Sequence, residues 1–402
     1  MPVNSRVYFA THSVALKQTS GALTFETGHL LKGAQSVGIT SNFNITPLFS
    51  LGYLPVYENL EGIPDVEVNI QKALDGYPLA YHLATTAAAD PTLGGRSIAR
   101  CDIGLAVYAD TSTFASGTPQ AVCAVSGAYI NSVAYNFGTD GSFTEDTSYV
   151  ANDKIWTRTP GVGGGTPNYG EIDLVSMPTI TWNAHMAASL SPIAVGGVAQ
   201  SEDFLWDLPT GTLNSDDNGA VNHPDVTVIP TEIQGVTLSG TNPTQAGSDI
   251  RSAHVQTASV SVSLNRESIT ELGRRGPYSR TIQFPVEVTA EFTSTTSEGD
   301  LVSHTSRGIF GTDTGALCST ANENLRNRTI RLCTCEGTRI YLGRKNKLSS
   351  VSYAGGDAGG GNVTTTYGYT TQNEFTVMHQ RDPHISGASW WTNRTVSNYL
   401  IQ

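Results

Sequence analysis

Residues 35–64 recur, in the same order, at residues 256–285. At the constant offset of 256 − 35 = 221, Gln35 falls on Gln256, Asn44 on Asn265, and Leu51-Gly52 on Leu272-Gly273. Tyr57 falls on Tyr278 and Pro64 on Pro285, with Ser36/Thr257, Ile39/Val260 and Leu48/Ile269 as similar pairs. One residue fewer after the second proline then brings Val66-Glu67-Val68 onto Val286-Glu287-Val288. A second anchor follows at 348 − 130 = 218, where Ile130-Asn131-Ser132-Val133-Ala134-Tyr135 matches Leu348-Ser349-Ser350-Val351-Ser352-Tyr353. Such a repeat means that one supersecondary unit is built twice. Two like modules in one chain can stand where two subunits of a symmetric ring would, and closed rings use up the exposed edges of sheets.

The modules read as all-β. Ala258, Val260, Val262 and Leu264 alternate with Ser259, Ser261, Ser263 and Asn265. Val286, Val288, Ala290 and Phe292 alternate with Glu287, Thr289, Glu291 and Thr293. In the first copy Val66, Val68 and Ile70 alternate with Glu67, Asn69 and Gln71, and Val37, Ile39 and Phe43 with Gly38, Thr40 and Asn42. Period-2 patterning marks strands with one face in a core. Charged residues are only 14% and Gly is 41 of 402, which argues against helical bundles. Asp75-Gly76, Asp140-Gly141 and Glu336-Gly337 are expected turns. Short flanking helices are expected at Pro47–Leu54 and Arg266–Arg274, each near a capping glycine. Asn214–Ser248, rich in Asp, Asn, Pro and Gly, is the expected linker. The expected division is therefore 1–213 for the first β domain with loop insertions, 214–248 for the linker, and 249–402 for the second.

No residue pattern carries catalytic or cofactor chemistry. Cys333-Thr334-Cys335 lacks the second pair that a zinc site needs, and Cys101 and Cys123 read as buried thiols. Five sparse cysteines are no disulfide framework and fit assembly in a reducing cytoplasm. The histidines show no paired spacing, Asp216-Asp217 lacks a calcium ladder, and Gly161–Gly165 is followed by no Lys-Ser/Thr. No apolar run reaches 18 residues, and no secretory signal opens the chain. The net charge of 23 − 35 = −12 opposes tight duplex binding. Tyr57 and Tyr278, at matched repeat positions, and the Arg274-Arg275 cluster are candidate interface residues.

Three stretches resemble the tail tube proteins of tailed bacteriophages. One is Ser261–Glu267, continuing through Glu271–Tyr278, Phe284–Thr289 and Glu298–Asp300. Another is Asn59–Leu83, with Pro64-Asp65-Val66-Glu67-Val68 and Leu74-Asp75-Gly76-Tyr77-Pro78-Leu79. The third is Asp140–Glu145 with Asn152–Trp156, whereas Asn183–Gln245 has no counterpart. The resemblance implies two tandem tail-tube-like β-barrel or sandwich domains with flanking helices, three chains per ring, and stacked rings that form a channel for the genome. The implied partners are further copies of the chain, other phage tail proteins, and double-stranded DNA in non-specific passage. The implied location is the virion tail, assembled in the host cytoplasm, without catalysis, cofactor or membrane anchoring. An acidic or neutral polar lumen would let DNA slide, so Glu67, Asn69, Gln71, Glu287, Thr289 and Glu291 are the expected lumen-facing residues. Alternatives in the same material are a decoration or tail-terminator protein, and outside it a β-sandwich carbohydrate-binding protein using Trp390-Trp391.

Overall fold

The computed structural model describes residues 12–18, 29–31, 33–62, 64–74, 79–85, 92–108, 121–152, 154–158, 172–173, 226–230, 254–272, 277–295, 330–334, 338–343, 345–355 and 363–379. The first half holds β1 (His12–Gln18), β2 (His29–Leu30), β3 (Ala34–Asn42), β4 (Ile45–Leu48), β5 (Glu58–Glu61) and β6 (Asp65–Ala73). Two short helices follow, α1 (Ala80–Thr85) and α2 (Leu93–Ser97), then β7 (Cys101–Val107), β8 (Ala121–Gly138), β9 (Thr144–Ala151), β10 (Ile155–Arg158) and β11 (Ile172–Asp173). The second half holds β12 (Val226–Pro230), β13 (His254–Ser263), β14 (Arg266–Ile269), β15 (Ser279–Ile282) and β16 (Glu287–Thr295). It continues with β17 (Ile330–Thr334), β18 (Thr338–Tyr341), β19 (Lys347–Ala354), β20 (Thr364–Gln372) and β21 (Thr376–His379).

The repeat is visible strand by strand. Antiparallel β3-β6-β9-β8 in the first half corresponds to β13-β16-β20-β19 in the second. The register shifts at the same places: at Gln35 and at Gln256, and again at Asn131 and at Ser349. Asn44 and Asn265 both take positive φ, 40° and 38°. Asn tolerates that left-handed region better than most residues. β4-β5 and β14-β15 are matching two-stranded arms, closed by Tyr57 N–H donating to Leu48 O at 2.8 Å and Tyr278 N–H to Ile269 O at 2.7 Å. One alignment changes. Ser41 faces Val66 and Val262 faces Val288, so Val66 corresponds to Val288 and the second copy is one residue longer here. The sequence alignment was two residues away. A shift of two leaves every side chain on the same face, so patterning cannot detect it.

Each half adds a second sheet against the first: β1-β7-β8-β10 and β12-β17-β18-β21. β8 serves both of its sheets. Its first part pairs with β7 and β10, its later part with β9 and β13. Gly127 (φ +61°) lies between the two parts. In the second half the corresponding path is divided into β18 and β19, with Gly343 (φ +75°) between them. Glycine takes this backbone at no steric cost. Aromatic residues fill the space between the layers, with Tyr135, Tyr149, Phe292, Tyr367 and Tyr369 all buried.

Among the described residues the expected helices at Pro47–Leu54 and Arg266–Arg274 are not formed: β4 and β14 occupy their starts as arm strands. Both are preceded by a positive-φ Asn that turns the chain into a ribbon, which overrides local helix preference. Within the expected linker, residues 226–230 form β12 and pair with β17. Asp140-Gly141 does sit between β8 and β9, with Gly141 at φ +84°. Asp75-Gly76 and Glu336-Gly337 lie outside the described residues, as do Arg274-Arg275, Trp390-Trp391 and Asp216-Asp217.

α1 is held by a buried carboxylate. Glu145 accepts from Ala80 N–H at 2.7 Å, Tyr81 N–H at 3.0 Å and Tyr135 Oη at 2.9 Å. Burial pushes its carboxyl above the usual range, and nearby Lys72 works in the opposite direction. From its other side α1 reaches the second half: His82 Nε2 lies 2.9 Å from Val377 O, and the Tyr81 ring meets Phe375 edge-on at 5.9 Å.

Candidate functional site

The two halves join through their sheets. β8 pairs antiparallel with β13 over Gly138↔Thr257 to Ser132↔Ser263, and Leu264 N–H extends the seam to Asn131 O at 2.8 Å. β3-β6-β9-β8-β13-β16-β20-β19 is therefore one continuous wall of eight strands. At its ends β3 and β19 each pair with a single described strand, β6 and β20. β3 is the repeat counterpart of β13, and β19 that of the later part of β8. The free ends of the wall are thus the repeat counterparts of the two strands that its middle seam joins.

The wall has one apolar face and one polar face. Val66, Val68, Ile70, Val133, Tyr135, Val260, Val288, Ala290 and Phe292 point into the core. The opposite face is Ser, Thr, Asn and Gln with scattered carboxylates. One row of opposed residues runs Gln71, Asp146, Ala134, Ser261, Thr289, Thr370 and Lys347 across seven strands. All six expected lumen residues lie on this face: Glu67, Asn69, Glu287 and Glu291 are exposed, Gln71 and Thr289 half-buried. Asp146 belongs with them and accepts from Asn136 Nδ2 at 2.7 Å, while Ser148 Oγ donates to Glu67 at 3.4 Å. Its strand, β9, carries Glu145 and Asp146 side by side, and only the pairing register tells which one faces outward. The polar face is hollowed into a shallow groove of about 520 Å³ over β3, β6, β9 and β8, with Asn69 and Asp146 among its lining residues.

The arms occupy one end of the wall. β14-β15 is fastened across the middle seam by two arginines. Arg266 Nε donates to Ile130 O at 2.5 Å, and its guanidinium lies 4.9 Å from the Tyr129 ring centre. Burial lowers its pKa to about 10. Arg280 pairs with Asp65 at 2.5 Å and also donates to Asn152 Oδ1 and Ser268 Oγ. The matching arm β4-β5 has Ile45 and Asn59 at those two positions and leaves Phe49, Leu51, Tyr53, Leu54 and Val56 exposed. Tyr57 and Tyr278 are exposed on their arms rather than in the core.

Among the described residues no cluster of three His, Cys, Asp or Glu could hold a metal ion. Cys101 and Cys123 are buried, and burial raises both thiols, Cys123 to about 11. No described helix is long and apolar enough to cross a membrane.

No family model matches the chain, and no curated protein matches it. Solved structures do. An anti-feeding prophage tube-terminating cap aligns at 13% identity and TM-score 0.29, over 40% of this chain and 95% of that one. A chain of the PVC extracellular contractile injection system, from its sheath–tube complex in the extended state, aligns at 11% identity and TM-score 0.28, over 39% and 95%. An Hcp protein aligns at 10% identity and TM-score 0.23, over 39% and 94%. The structures to which this all-β chain is similar include, in their own descriptions, a tube-terminating cap, a chain of a contractile injection system's sheath–tube complex and an Hcp protein.

Proposed function

We propose that this chain is a structural tail tube subunit: three copies close a ring, rings stack, and the polar face lines a channel through which duplex DNA passes. The observation that carries the reading is the eight-stranded wall whose two open ends are the counterparts of its own middle seam. An open strand edge is a template for another strand. Here the strand that fits each edge is built into the same chain, so copies join head to tail by a heterologous contact that closes when the rotation allows. Three walls supply 3 × 8 = 24 strands. At about 4.8 Å per strand and a tilt of about 40°, the backbone cylinder is about 48 Å across. Side chains of about 5 Å on each side leave a lumen of about 38 Å, wide enough for a duplex. Glu67, Asp146, Glu287 and Glu291 would face it, with Lys347 in the same row as Asp146, and a face on which the described carboxylates outnumber the described bases has little grip on phosphates.

The same reading treats the chain as two modules, 1–213 and 249–402, with 214–248 between them lending β12 to the second module's sheet. It makes the protein a non-enzymatic virion component assembled with other tail proteins. Cryo-electron microscopy of the purified protein tests it. Rings or tubes of three chains with a central channel support it, and compact monomers at all concentrations contradict it. Rings that cap tubes without extending them would point to a terminator instead.

A further inference from the structure

Resting on that ring reading, we infer the register of the seam between copies: β19 of one copy pairs antiparallel with β3 of the next in the register that β8 and β13 use within the chain. Applying the repeat offsets to Ser261↔Ala134 pairs Thr40 with the next copy's Ser352. Val260↔Tyr135 becomes Ile39 with Tyr353, and Ser263↔Ser132 becomes Asn42 with Ser350. The Leu264–Asn131 bond becomes Phe43 N–H donating to Ser349 O.

Exposure at the open edges matches this assignment. Leu264 and Tyr135, in the closed seam, are both 0% exposed, whereas their counterparts Phe43 and Tyr353 are 64% and 52% exposed. Apolar side chains therefore stand uncovered at the positions that the inner seam covers. The bulge at Asn131, between β8 and β9 and just beyond the last β8–β13 pair, has its own copy at Ser349, between β19 and β20, so the outer edge strand ends its regular run at the matching residue. The occupant of both edges is thus a second copy of this chain.

The two seams are locked differently. Arg266 and Arg280 clamp the seam within the chain, and the arm that would cross the seam between copies has Ile45 and Asn59 instead. By the strand pairings, which match Val66 to Val288 and Tyr149 to Tyr369, Asn59 comes to the next copy's Glu287 and Gln372, the counterparts of Asp65 and Asn152. The seam between copies is therefore apolar at the Phe43 end and free of an arginine lock.

Paired cysteines test the register. Thr40→Cys with Ser352→Cys should form disulfide-linked chains when assembled particles are oxidised, at least tenfold above Thr40→Cys with Ser350→Cys, a pair slipped by two residues. Each single variant should stay unlinked. Rings in which the slipped pair links better, or in which neither links, overturn the register but leave the ring reading intact. A protein that forms no assembly overturns both. As a second readout, Asn59→Arg should lower the concentration needed for assembly several-fold, and adding Glu287→Ala should remove that gain. An unchanged assembly concentration counts against the arm's placement.

Discussion

Phe43 and Leu264 occupy the same position in the two copies and should respond to the same substitution in opposite ways. A Phe side chain buries about 200 Å² when fully covered. Phe43 is 64% exposed, so covering it removes about 130 Å² from water, worth about 3 kcal/mol at about 25 cal/mol per Å². Phe43→Ser should weaken association at each seam about 100-fold, since about 1.4 kcal/mol is a factor of ten. The folded chain itself should lose about 0.5 kcal/mol or less, because the side chain is largely in solvent already. Leu264 is fully buried, and Leu264→Ser removes its packing and buries a hydroxyl, costing about 4 kcal/mol of folding stability. Sedimentation velocity across a dilution series reads the first effect, and thermal or urea unfolding of dilute protein reads the second. Assembly of Phe43→Ser at the wild-type concentration would refute the reasoning. So would equal melting points for the two variants.

Other outcomes follow from particular side chains. The double variant Glu67→Lys, Glu291→Lys should still assemble, because both residues stand on the polar face away from the seam between copies, but its particles should hold duplex DNA with a steep salt dependence that the wild type lacks; filter binding across about 50–200 mM salt measures this. Glu145→Ala should cost about 3–5 kcal/mol in urea unfolding, since it strips a buried acceptor from two amides and Tyr135 and leaves Lys72 without its nearby carboxylate. The same carboxyl titrates higher folded than unfolded, so its contribution is full below the ordinary carboxylate range and declines as pH rises through the folded value. Glu145→Gln should flatten that part of the stability–pH curve. A double-mutant cycle on Arg280 and Asp65 should give a coupling of about 1–2 kcal/mol, below that of a fully buried pair because Asp65 is 47% exposed. Gly127→Ala, at φ +61° with open space around a new Cβ, should cost about 1–2 kcal/mol from the backbone alone, measured by thermal unfolding.

What could be read without coordinates was whatever a period of two residues records. Val66, Val68 and Ile70 against Glu67, Asn69 and Gln71 already separate a core face from a polar one, and the structure keeps that separation. The arms were misread because a two-stranded ribbon in solvent has no buried face to impose a period. Pro47–Leu54 and Arg266–Arg274 therefore offered only local composition and a nearby glycine, which also suit a helix end. Asp146 was missed for a related reason, since Glu145 and Asp146 are adjacent carboxylates and a core aromatic, Tyr135, decides which one turns inward. The β8–β13 seam joins strands more than a hundred residues apart, and no local signal encodes such a pairing. The repeat held part of that information. It named the counterparts, and the pairings Ser41↔Val66 and Val262↔Val288 supply the register that residue identities left two positions off.

The most direct test is a helical or cyclic reconstruction of the assembled protein at a resolution that separates strands. The account requires an unbroken 24-stranded inner wall in which every chain's β19 lies beside the next chain's β3, polar side inward. A wall interrupted between chains, or one with β3 and β19 turned to the outside, would contradict it.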